Sequence, residues 1–185
     1  MTNTETVESL YSSGEYEKCL ILAENKLANN PSDFNALCYK GACLAKNAQY
    51  ADAIAVLSKC VSVRDDLFFL WVLRGDCHYE LKEFSKSFSD YWISVQLDPK
   101  NGAAVDKCAR SLFLLGDENY ALDFIQRAIK IGDSPEPVLV MVHMLRIIGR
   151  LNSAFAITRM GADKFPKDER FEKIGAELTK EGASL

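Results

Sequence analysis

Residues of like kind recur along this chain every 34 positions, and that interval restricts the fold more than any other feature. Tyr16, Tyr50 and Phe84 keep it, as do Gly41 and Gly75. Cys19, Ala53, Ser87 and Ala121 form a series of small residues that Ala154 continues after 33. Cys60, Ser94, Ala128 and, again after 33, Gly161 form another. Punctuation follows the same beat at Pro31, Asp65, Pro99, Asp133 and Pro166. A period of this length with two helical segments per repeat marks a stacked helical array, in which each repeat buries its apolar face against its neighbours.

The residue types have a physical reason to sit at these spacings. Paired helices reach their closest packing only where side chains are small, so Gly, Ala, Ser and Cys recur at the crossings. Between them lie bulky residues at helical spacing: Ala53, Val56, Leu57, Cys60 and Val61 make an i, i+3, i+4, i+7, i+8 stripe. Asn29 to Asp33 and Asp98 to Gly102 are turn-forming clusters with a proline where a helix cannot continue. Gly14, Gly116 and Gly149 mark tight turns inside repeats.

Composition removes several functional classes. Apolar residues make up 48% of the chain, with 10 Gly and 5 Pro scattered singly, so the sequence is expected to fold throughout. A net charge of −4 opposes a general role on nucleic acid, which needs clustered Lys and Arg. The start, MTNTETVESL, has no basic or apolar leader, and the most apolar run, Leu67 to Leu73, falls far short of the roughly 20 residues of a membrane span. The expectation is a cytoplasmic protein without membrane insertion. Six cysteines without a CxxC pair read as reduced, buried thiols, and no Cys or His pair has metal-ligand spacing. His78 and His143 stand alone at unrelated repeat positions, and every glycine is solitary. Neither a nucleophile with its base nor a phosphate loop can be assembled, so no enzyme activity, cofactor or metal is expected.

With these residues in view the chain resembles the tetratricopeptide repeat family. The third repeat carries the resemblance most fully: Trp71 at the aromatic position, Gly75 at the glycine, Phe84 after the turn, and Asp98-Pro99 at the end. The resemblance covers most of the chain and implies an all-α, right-handed superhelical solenoid of about five antiparallel helix pairs. Their bounds are 1–33, 34–67, 68–101, 102–134 and 135–168, within a single domain over 1–185. Departures are local. Asn3, Thr6 and Val7 stand where the family favours aromatic, Leu and Gly, so the first helix reads as frayed or as a terminal cap. Lys40 and Arg74 take a position usually held by leucine, and Glu118 replaces the aromatic after the fourth turn. His78 takes a core position usually aromatic or leucine and reads as packed. Residues 168–181, with Phe171, Ile174 and Leu178 on one side, suit a C-terminal capping helix, and the chain reads as a complete small protein.

The resemblance further implies that the first helix of each repeat lines a concave groove. Its inward positions fall on Cys38, Tyr39 and Ala42, then Phe69, Val72, Leu73, Asp76 and Tyr79, then Lys107, Arg110 and Phe113, and finally Leu139, His143 and Arg146. Such a groove is apolar and aromatic in its middle and basic toward the C-terminal end. It suits a partner peptide or helix with apolar anchors and an acidic group. The family's clamp for chaperone C-terminal carboxylates is not expected, because its Lys, Asn and Arg positions fall on residues such as Tyr39, Ala42, Phe69 and Leu73. Three functions remain open: an adaptor or assembly subunit that docks a partner segment, a small chaperone for one client protein, and a structural homo-oligomer built through Phe69 and Trp92.

Overall fold

The computed structural model describes residues 5–184 and contains, among them, eleven α-helices and no strand. Contacts divide the chain into two compact units, Met1–Asp98 and Pro99–Leu185. The N-terminal unit contains α1 (Val7–Ser12), α2 (Tyr16–Asn29), α3 (Phe34–Lys46), α4 (Tyr50–Val63), α5 (Phe68–Glu80) and α6 (Phe84–Leu97). The C-terminal unit contains α7 (Gly102–Leu114), α8 (Glu118–Ile131), α9 (Glu136–Ile147), α10 (Leu151–Lys164) and α11 (Arg170–Lys180). Helices pair in chain order, α1 with α2 through α9 with α10, and α11 packs on α10.

One turn is repeated to the end of the chain. After each first helix a single residue takes positive φ: Gly14, Ala48, Lys82, Gly116, Gly149 and Gly182. The amide that follows each donates to a carbonyl five residues back, from Glu15 to Leu10, Gln49 to Leu44, Glu83 to His78, Asp117 to Leu112, Arg150 to Leu145 and Ala183 to Leu178. This is the Schellman closure, which satisfies otherwise orphaned helix carbonyls. The six accepting residues are all buried, so one position both ends the helix and fills the core. The expected capping helix α11 therefore keeps the register of a sixth first helix. It buries Phe171 and Leu178 and exposes Glu172, Lys173, Glu177 and Lys180.

The close crossings lie where small residues predicted them. A Cβ on Gly75 would stand 2.7 Å from the Tyr91 ring, and one on Gly41 would stand 2.8 Å from Leu57. Gly161 meets the ring of Phe171 in the same way. The expected stripe on α4 is realised: Ala53, Leu57, Cys60 and Val61 are buried with Leu44, Leu70 and Cys77 in one cluster, and Val56 packs against it. A second cluster joins Val7, Leu10, Cys19, Ala23, Ala36 and Cys43, and a third joins Val142, Leu145, Ala154, Leu178 and Ala183.

The departures from the repeat pattern are each accommodated. Helix α1 is short, yet its Thr6–Ser9 capping box is closed and Val7 and Leu10 are buried; Asn3 lies outside the described residues. Lys40 reaches across to Glu24 at 2.8 Å, and Arg74 reaches the equivalent Ser58 at 3.2 Å while also pairing with Asp90. Glu118 opens α8 as an exposed acidic residue, favourable at a helix N-terminus. His78 is buried with Nδ1 2.6 Å from Glu83 Oε2, which completes the packed role expected of it.

Candidate functional site

Eight of the sequence-predicted groove residues lie in the N-terminal unit, on α3 and α5, and of these Ala42 is buried. Helix α3 touches both α1 and α5, so the first helices of three repeats stand side by side. Phe69 is 46% exposed and meets the ring of Phe68 edge-on at 6.2 Å. Val72 and Asp76 are half-buried one and two turns further along. Leu73 and Cys38 lean into the core cluster of α3, α4 and α5 and contribute less surface. The Cys60 thiol beside Cys38, together with burial, pushes the Cys38 thiol up. Tyr39 packs edge-on against Tyr11 at 5.5 Å, and burial raises its phenol. Asp76 accepts from the Tyr91 hydroxyl at 2.7 Å, and Tyr79 meets Phe84 edge-on at 5.5 Å.

The other six lie in the C-terminal unit, on α7 and α9, with Leu139 half-buried on α9. Lys107, Phe113 and Arg146 are half-buried and His143 is exposed. Arg110 donates to Asp106 at 2.8 Å, one turn back on its own helix. Arg146 donates to Glu181 at 3.0 Å and to Glu177 at 3.1 Å, which ties α9 to α11. Two of the three cations expected to meet an acidic partner thus already hold carboxylates of this chain.

Asp106 is a groove-register residue that sequence reasoning passed over. It stands 34 positions after Val72, and that register is the signal that could have found it. One oxygen binds Arg110; the other is buried without a hydrogen-bond partner. Burial raises its carboxyl, against the pull of Arg110 and Lys107. Outside these faces, Trp92 is 37% exposed on α6 and stacks on Phe88 at 6.5 Å. An open depression of about 750 Å³ in the C-terminal unit is lined by Phe165, Arg170 and neighbouring lysines. Lys164 pairs there with Asp133, Arg170 with Asp168 and Glu136, and Lys173 with Glu169. No helix among the described residues is long and apolar enough to cross a membrane.

No family model matches the sequence, and no curated protein matches it significantly. Solved structures do. A thermophilic tetratricopeptide protein of Thermus thermophilus, TTC0263, superposes with a TM-score of 0.71 at 20% identity, over 94% of this chain and 95% of that one. A MamA crystal structure superposes with a TM-score of 0.80 at 14% identity, over 89% and 96%. A tetratricopeptide repeat protein of Parabacteroides merdae superposes with a TM-score of 0.79 at 14% identity, over 93% and 69%. The fold is that of the tetratricopeptide repeat solenoids.

Proposed function

We propose that this tetratricopeptide-fold chain is a protein-interaction module, an adaptor or assembly subunit, that docks a segment of a partner protein on the first-helix face of α3 and α5. The observation that carries the reading is the exposure of Phe69. It is a large aromatic whose repeat equivalents, Asn35 and Ala103, are polar or small, so the helix array does not require it. Val72, one turn along α5, and Tyr39, half-buried on the neighbouring α3, add apolar groups to these helices, and aromatic anchors of this kind dominate protein interfaces. The reading involves no catalysis and no cofactor. Six free thiols, five of them buried, support a reducing compartment such as the cytoplasm. Self-association is a second reading, favoured by Trp92; it makes the molecular mass change on dilution.

The test is affinity capture from the native cell with wild type and with Phe69→Ser/Val72→Ser, followed by mass spectrometry. Leu73 is left intact because it packs against the core. Partners recovered by wild type should be lost from the variant while its helical content is unchanged. Equal recovery overturns the reading.

A further inference from the structure

The docking face of the N-terminal unit carries a charge of its own. On α5, Phe69, Val72, Asp76 and Glu80 follow one another at steps of three, four and four residues, which lines them up on one side of the helix. Glu80 is exposed at the C-terminal end of that line. On α1, Glu8 holds the register of Asp76, two repeats upstream, and accepts from Asn35 on the neighbouring α3. Lys46 is the basic residue in the same register of α3 as Glu80 in α5. The wider field agrees: residues 1–98 hold 14 acidic side chains against 9 basic ones, a net of −5 within a chain total of −4. Residues 99–185 are accordingly close to neutral.

We infer that the segment docked on this face is apolar and basic: one or two aromatic or aliphatic anchors against Phe69, Val72 and Tyr39, flanked by Lys or Arg facing Glu80 and Glu8. The inference rests on the protein-binding reading above and gives the partner its chemistry. A carboxylate accepts several hydrogen bonds, so the contact Glu8 makes with Asn35 leaves it able to receive a partner's cation. An acidic segment would meet like charge here, and such juxtaposition suppresses binding at an interface. Arg110 and Arg146, two of the side chains expected to attract one, are matched by Asp106, Glu177 and Glu181. Complementary charge also accelerates encounter, so the salt dependence of association reports the sign of the partner.

The test is selection of a random peptide library on the full chain, with Phe69→Ser and Glu8→Gln/Glu80→Gln selected in parallel. Wild type should enrich peptides that combine an aromatic or aliphatic anchor with Lys or Arg. A selected peptide should bind the carboxylate double variant about three- to tenfold more weakly, as two partly exposed ion pairs imply, and should lose affinity for wild type as salt rises. Phe69→Ser should bind none of them. Enrichment of acidic or uncharged peptides, dependent on Phe69, overturns the charge assignment and leaves the docking reading standing. Absence of any Phe69-dependent peptide overturns both. Thermal melting of each variant confirms that a loss reflects the face and not unfolding.

Discussion

Arg74 grips Asp90 with two hydrogen bonds, Nε to Oδ2 at 2.8 Å and Nη2 to Oδ1 at 2.7 Å, with the side chains only 17% and 5% exposed. The guanidinium also lies 4.8 Å from the centre of the Trp71 ring. A charge left alone in such a site is expensive, whereas an apolar pair of similar shape loses little. Asp90→Ala should therefore destabilise the fold by about 3–5 kcal/mol in urea denaturation. The double change Arg74→Leu/Asp90→Val gives the helix the leucine usual at the first position and the valine found one repeat earlier at Val56. It should remain within about 1 kcal/mol of wild type. A double variant as weak as the single one would show that the pair cannot be exchanged for packing.

Ala48 and Lys82 hold the positive-φ position that glycine fills in the other repeats, at φ of 59° and 60°. Side chains at that conformation are strained by about 1–2 kcal/mol, partly offset by the greater unfolded-state freedom of glycine. Ala48→Gly and Lys82→Gly should each raise stability by about 0.5–1 kcal/mol, seen as a rise in Tm. Gly116→Ala should lower it. A fall in Tm for both glycine variants contradicts the strain argument.

Asp106 has a folded-state pKa raised by burial, so its ionised form opposes folding at neutral pH and its protonated form does not. The penalty is fully present above the folded pKa and disappears below the unfolded one. The stability of Asp106→Asn relative to wild type should accordingly be greatest near pH 7 and decline as the pH is lowered through about 4. Urea midpoints measured across that range check the sign; a relative stability that grows on acidification is the contrary result.

Burial pushes the thiols of Cys77 and Cys108 up to about 12, so almost none is thiolate at neutral pH. Iodoacetamide should leave both unmodified in the native protein near pH 8 and modify both after unfolding, as read by peptide mass spectrometry. Rapid native labelling at either position would contradict their placement in the core.

The helix pairs, the close crossings and the half-exposed aromatic face are legible in the sequence because each depends on residue size at a fixed interval. Gly75 against Tyr91 is such a case. The turns at Ala48 and Lys82 are not legible by the same route. Neither residue type favours the left-handed conformation, and only the register shared with Gly14, Gly116 and Gly149 points to it. Nor do residue types show that Arg146 is held by Glu177 and Glu181, more than thirty residues away, since that pairing depends on where α11 lies. The basic end expected from sequence counts cations without their partners.

The most direct measurement places a photo-reactive phenylalanine analogue at Phe69 on the first-helix face and, in a second protein, at Ile21, which is 60% exposed on α2. Irradiation with the captured partner should cross-link it through position 69 and leave it unlinked at position 21. Cross-linking through position 21 alone would contradict docking on the face of α3 and α5.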